Sequence, residues 1–452
     1  MQPALWYNNK NTILKLLLIV VGFVWSLYIY YPGSYSMDTW AQYTEMMTNS
    51  YSDWHSPILA LLWKLLYICT GAWQSIFFFQ VAWYWLFVAM VLIRTGFSNL
   101  LFIAGYLYAI FFLFIAQYIM KDSHFALACG TAAIIVITDK TPTQNKLAKW
   151  IGLLLLVYAA FLRMNCIIAI LPLILLYTYY YFTPKKGVLI NLIAALVICI
   201  LAFAGYYTTT YKVLKAERAY PEYKLELLDI AGITKLSGKD YMPPCISSYK
   251  YYSTARIMQM YNPATFDDIY WPKDHSPSMI PVPDSSLAAC VGHAWKHAVL
   301  GEPTLYLENR GNGFLYYLRI KKRFTNSEYH NIGIWNEPEN PFHLTTTNNK
   351  FTRIINRLYY KLALTPFFDP WFWLMLNTVL CIYFFMRYYK LQRANFYFKH
   401  GMVQLSGVLF MLSQFPVYQH DRDFRYNYWN VFVFFIGATA LFVPKKQIAN
   451  PL

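Results

Sequence analysis

The chain has 452 residues, of which 58% are hydrophobic and only 13% are charged. A soluble protein carries about 25% charge, so composition excludes a water-soluble globular enzyme. The formal net charge of +16 is no sign of nucleic-acid binding, because the basic residues fall in short segments between apolar runs, as membrane topology dictates.

The first apolar run, TILKLLLIVVGFVWSLYIYY, is long for a signal-peptide core, and no small-residue cleavage site follows it. It predicts a retained transmembrane helix over about 13–31. Pro32 and Gly33 then end that helix. The next stretch, SMDTWAQYTEMM, predicts a short helix with Ser36 as N-cap. Asp38, Gln42 and Glu45 would share one of its faces. YSDWHSP follows, with Asp53 and His55 two residues apart.

Residues 56–73, SPILALLWKLLYICTGAW, are apolar but carry Lys64 at their centre. Further spans are predicted over about 74–93, 100–118, 120–138, 148–162, 166–182 and 188–208. Pro172 lies inside the 166–182 run, which a membrane helix tolerates. Residues 209–370 form a long polar segment with turn signals such as YMPPC, YNPAT and NEPENP. A mixed, loop-rich domain is expected there. Three last spans are predicted over about 371–386, 401–416 and 428–443.

The expected fold is therefore an all-α polytopic membrane protein with about ten transmembrane helices. Residues 1–208 and 371–452 form two membrane modules, and residues 209–370 an extracytoplasmic domain. Lys10 and Lys15 place the N-terminus inside. Lys445 and Lys446 do the same for the C-terminus. With both ends inside, only one span fits between residue 56 and Arg94. The run 74–93 is the better span, so 57–73 is read as an amphipathic helix on the outer surface, its Lys64 snorkelling to water. In this topology 14 of the 19 Lys and Arg outside the polar segment are cytoplasmic. Of the seven acids there, only Asp139 is. That clustering of acids places any chemistry outside.

Four constellations could carry it. The first is the loop after the first helix, with Asp38, Gln42, Asp53 and His55; the competing reading is a capped surface helix with solvated acids. The second is YIMKDSHFAL, where Lys121, Asp122 and His124 meet the outer end of a span or simply mark the membrane boundary. The third is FLRMNC, whose Arg163 and Asn165 sit at an outer helix end. An arginine there suits bidentate phosphate binding, or pairs structurally with an outer acid. The fourth is VYQHDRDFRYNYW, with Asp421, Arg422, Asp423, Arg425 and Tyr426, the densest charge cluster in the chain. It could equally be a self-satisfied ion-pair loop. Together these groups supply carboxylates for general-base work and guanidiniums for a phosphate leaving group.

YPGSYSMDTWAQ after helix one, the R-x-N helix end and DFRYNYW before a late helix resemble the GT-C class of integral-membrane glycosyltransferases. LLDIAGITKLSG, opening the polar segment, is similar to a stretch in uncharacterised bacterial multi-pass members. The resemblance implies a GT-C-like helix arrangement in a bacterial cytoplasmic membrane. It implies transfer of a sugar from a polyprenyl-phosphate carrier to a glycan or lipid-glycan acceptor outside the cell. It makes Asp38 the candidate base, with Asp53 and Asp122 as further candidates. Arg163 and Arg425 become candidates for the carrier phosphate, with Gln42, His55, Lys121, Asn165, Asp423 and Tyr426 around the substrates. Asp38 has no adjacent acid, where the family often has two, so a divalent metal stays an open question. No nucleotide-binding glycine motif is present in the sequence.

A transporter for a lipid-linked glycan is the competing class. Transporters show repeats and midplane charges, whereas this chain has no visible repeat. A membrane acyltransferase would want a His buried in a span, and the nine His lie in loops or at helix ends. Cys245 and Cys290 are the one cysteine pair of the polar segment, and an oxidising compartment favours a bridge between them.

Overall fold

A computed structural model describes residues 9–94, 98–139, 145–182, 186–270, 277–321, 349–391, 395–417 and 423–443. The described residues are helical and contain no strand, only three isolated bridges. In chain order the helices that matter for the site are α1 (Asn9–Tyr30), α2 (Met37–Thr48), α3 (Pro57–Thr70), α4 (Ser75–Arg94), α5 (Asn99–Phe111) and α6 (Phe114–Gln117). They are followed by α7 (Lys121–Thr138), α8 (Lys146–Leu162), α9 (Ile167–Tyr177) and α10 (Val188–Tyr207). The polar segment opens with α11 (Pro221–Ser237).

The segments Asn11–Tyr30, Ser75–Ile93, Met164–Phe182, Val188–Val213 and Pro370–Lys390 are long and apolar enough to cross a membrane. They coincide with five of the expected spans. The α7 helix matches a sixth expected run, and it is buried from Asp122 to Val136. A helix apolar all round belongs at the centre of a bundle. The neighbours α4, α8 and α9 enclose it.

One expected span is divided. Residues 100–118 form α5 and α6 with a break at Phe112 and Leu113. The broken turn leaves carbonyls without helical partners, and side chains supply them. Gln80 Nε2 donates to Ala116 O at 2.8 Å and to Tyr118 O at 2.7 Å. Tyr359 Oη donates to Phe111 O at 2.8 Å. The α3 helix has 14 residues, a rise of about 21 Å against a hydrocarbon core of about 30 Å. Leu59, Ala60 and Trp63 bury one face of it, and Lys64 is half-buried.

The described residues of the polar segment are helices around their own apolar core, where the sequence predicted a mixed domain. Leu227, Leu228, Ile230 and Ala231 of α11 pack with Ile257, Phe266, Met279 and Val291. After α11 come α12 (Pro244–Ser247), α13 (Thr254–Met260), α14 (Asp267–Tyr270), α15 (Ser285–Gly301) and α16 (Pro303–Tyr317). LLDIAGITKLSG is the centre of this core. Asp229 pairs with Arg310, and both are buried. It also accepts from Trp295 Nε1 at 2.8 Å. Gly232 lets α16 approach, since a Cβ there would lie 2.2 Å from Asn309 Oδ1.

Cys245 and Cys290 are bridged, and the other five cysteines are free. A thiol titration of the unreduced, denatured protein should therefore find five groups. A count of seven would show that the bridge does not form.

The chain continues through α17 (Lys350–Leu362), α18 (Pro370–Lys390), α19 (Asn395–Leu412), α20 (Gln414–Val417) and α21 (Tyr428–Ala440). Lys399 lies buried inside α19. Its ammonium donates to Val136 O at 2.7 Å, a cation at the C-terminal end of α7 where the helix dipole favours it.

Candidate functional site

The site begins with the turn after α1. Gly33 adopts φ +112°, which glycine reaches without a Cβ penalty. The turn lets Ser34 N donate to Gln117 O at 3.0 Å. Ser36 caps α2, as the sequence predicts, and the Thr39 side chain returns the bond to the cap backbone. Thr39 Oγ1 also donates to Ile119 O at 2.9 Å. Residues 34–39 are thus stitched to 117–119, directly before Lys121. In this way two motifs 80 residues apart in sequence become one surface.

Asp38 lies at the centre of that surface. Its Oδ2 accepts from Arg425 Nη1 at 2.5 Å, and Arg425 Nε lies 3.2 Å from Asp423 Oδ2. His55 Nε2 is 3.8 Å from Asp38 Oδ1, beyond hydrogen-bond range. Asp122 forms a second ion pair with Arg163, both side chains being buried. The Tyr426 ring stands between the two arginines, 5.1 Å from Arg163 and 4.9 Å from Arg425. Lys121 is within electrostatic range of Asp38 and Asp122. Among the described residues it has no direct ion-pair or hydrogen-bond partner. The Asp38 side chain keeps 26% of its surface exposed, against 10% for Arg425 and 2% for Asp122. Asp38 is therefore the most exposed carboxylate of the cluster, ahead of Asp423 at 14%.

The charges decide the ionisation states. Burial pushes the Asp38 carboxyl up, but Arg425, His55 and Lys121 together outweigh it and hold it well below the usual carboxylate range. Burial pulls His55 down to about 4, against the upward pull of Asp38, so its imidazole is neutral at pH 7. Burial also pushes the Glu45 carboxyl up, although Ser52 N and Ser52 Oγ both donate to its Oε1 at 3.0 Å.

The other predicted residues take different places. Asp53 is held by the segment that follows α10. It accepts from Ala219 N at 2.6 Å and from Tyr211 Oη at 2.9 Å, and Arg218 Nε lies 3.3 Å away. Its carboxylate joins the loop between α2 and α3 to the entry to α11. Asn165 is exposed on the turn Met164–Cys166, and among the described residues no hydrogen bond joins it to the acid pairs. Gln42 is buried one turn from Asp38, and among the described residues its amide has no hydrogen-bond partner. Asp421 and Arg422 lie outside the described residues.

Sequence reasoning passed over Asn427. It is fully buried in the 3₁₀ turn Phe424–Asn427, and both its amide atoms are unpartnered among the described residues. Its place two residues after Arg425 was the available signal. His124, placed by sequence at a helix end, is buried in α7 and lies 3.0 Å from Tyr158 Oη through its Nδ1.

Among the described residues no group of three or more His, Cys, Asp or Glu side chains is gathered to hold a metal ion. Two cations beside Asp38, Arg425 and Lys121, oppose a divalent cation there. The cluster suits an anion beside a carboxylate. No family profile, curated protein or solved structure matches the chain.

Proposed function

We propose that this chain is a membrane glycosyltransferase of the GT-C type. It moves a sugar from a polyprenyl-phosphate carrier to a glycan acceptor outside the cytoplasm. The observation that carries this reading is the convergence of Asp38, His55, Lys121, Asp122, Arg163, Asp423, Arg425 and Tyr426 from four separate motifs. In this reading all ten apolar runs cross the membrane. The helical domain of residues 209–370 then stands outside, with both termini in the cytoplasm.

The chemistry follows from the charges. The acceptor hydroxyl gives its proton to the Asp38 carboxylate while its oxygen attacks the anomeric carbon. The bond from that carbon to the phosphate oxygen breaks, and the carrier phosphate leaves with the electron pair. Direct displacement inverts the anomeric centre. A carboxylate locked to Arg425 is a weak base. Binding of the donor phosphate draws the guanidinium toward the phosphate, which raises the basicity of Asp38 at the moment it is needed. Arg425 then holds the charge that develops on the leaving group. The assay that tests this reading is sugar transfer by reconstituted Asp38→Asn protein.

The topology has its own test. Single cysteines replace Lys64 and Lys250 in a Cys69→Ser background. A membrane-impermeant maleimide should modify both in intact cells. Labelling of position 250 only after permeabilisation would place the helical domain inside and end the reading.

A further inference from the structure

The α17 helix, KFTRIINRLYYKL, takes no part in the site. Asn349 caps it, accepting from Phe351 N and Thr352 N at 2.9 Å each. Its residues divide into three stripes. Thr352, Ile355 and Tyr359 turn inward, with Thr352 and Tyr359 buried and Ile355 packed on the main core. Phe351, Ile354 and Leu358 form a second stripe, three and four residues apart, and are 44% to 50% exposed. Lys350, Arg353, Arg357 and Lys361 form a third, also at helical spacing, and all four are exposed. No acid occurs in the helix.

A helix on a water-facing surface would leave three large apolar side chains in water. A helix crossing a membrane would bury four cations in hydrocarbon. Neither fits. A helix at the bilayer surface satisfies all three stripes. The place of α17 agrees with that. The Phe351 ring meets Trp25 at 5.2 Å and Tyr28 at 6.2 Å, at the C-terminal end of α1. Asn349 Nδ2 donates to Tyr28 O at 3.3 Å. The exposed apolar stripe of α1, including Leu17, Val20, Val21, Val24 and Tyr28, thus runs directly into the apolar stripe of α17. Aromatic rings of this kind collect where hydrocarbon meets headgroups.

We propose that α17 lies in the membrane interface, with Phe351, Ile354 and Leu358 among the lipid chains and its four basic residues bound to anionic phospholipid headgroups. The inner stripe meets protein, the apolar stripe meets acyl chains, and the cations face phosphates. Nothing in this placement depends on the proposed sugar chemistry. It needs only that α1 crosses the bilayer.

The test uses the full chain in bilayers. Leu358→Cys in the Cys69→Ser background carries an environment-sensitive dye, and the protein is reconstituted with brominated phospholipids. Brominated phosphatidylcholine should quench the dye. Brominated phosphatidylglycerol at the same fraction should do so with about threefold or greater preference, since each basic residue near the surface favours anionic lipid. Replacing Lys350, Arg353, Arg357 and Lys361 by Gln should bring that preference to about one while quenching by phosphatidylcholine persists. If the fourfold variant does not fold, Arg353→Gln with Arg357→Gln should halve the preference or more. Absence of quenching by either lipid would overturn the interfacial placement, because protein would then cover the stripe. Equal quenching of the unaltered basic helix by both lipids would overturn the anionic site.

Discussion

Asp38→Asn should lower sugar transfer by about 100- to 10,000-fold, the contribution of a general base, while the protein still inserts and folds. Folding should survive because Arg425 keeps Asp423 at 3.2 Å and the Tyr426 ring as partners. The amide also has the shape of the carboxylate. Arg425→Ala should act differently. It removes a phosphate-binding group, so the KM for the lipid donor should rise. It also removes the nearest cation beside Asp38, whose carboxyl should titrate at higher pH than before. Activity needs the ionised carboxylate and falls as pH drops through its pKa. The acid limb of the pH-rate profile should therefore move to higher pH in Arg425→Ala. A residue that only supported the fold would lower activity without moving that limb. Near-normal transfer by Asp38→Asn would remove the base. If Asp53 and Asp122 could also be replaced without loss, carboxylate chemistry would be wrong, and transport of a lipid-linked glycan would become the better reading.

The second large effect is on stability. Arg163→Ala should destabilise the protein by about 3–5 kcal/mol, the usual result of stranding one partner of a buried pair. The Asp122 side chain is 2% exposed and that of Arg163 4%, so neither can turn to water when the other is lost. The Cα atoms belong to the start of α7 and the end of α8, and the pair fastens these two helices together. Detergent-solubilised protein titrated with a denaturing detergent gives the measurement. Asp122→Leu combined with Arg163→Met should recover most of the loss, because an apolar pair leaves no buried charge. A loss below about 1 kcal/mol for Arg163→Ala, the range of solvent-exposed pairs, would mean that water reaches Asp122. It would also return Arg163 to the set of groups free to take a phosphate.

Much of the helical plan was legible because its cause is local. Long apolar runs and flanking prolines, glycines and caps act over a few residues. The α1 span, the Ser36 cap and the run that became α7 could all be read on that basis. The break between α5 and α6 could not. Residues 100–118 are apolar throughout, and what makes the break tolerable is the Gln80 amide on another helix, together with Ser34 N and Tyr359 Oη. The polar segment was misread as mixed because its prolines and tyrosines signal turns. Its helices are held by a core and a buried Asp229–Arg310 pair, which no local pattern displays.

Residue types at the site were determined by the sequence alone: scarce acids and scarce outer arginines in short motifs stand out against an apolar background. Their partners were decided by the tertiary structure. Asp38 and Arg425 are 387 residues apart, and their meeting depends on how the bundle closes. The roles of Asp53 and Asp38 were likewise exchangeable in sequence, since both are outer-loop acids after α1. Packing separates them: the chain after α10 passes close enough to claim Asp53 with Ala219 N, Tyr211 and Arg218, while the Gly33 turn and the Thr39 bond to Ile119 carry Asp38 to Lys121 and Arg425. Charge interactions weaken with distance and with the water between the groups, so a carboxylate's function is set chiefly by its near neighbours, and those neighbours are chosen by the fold.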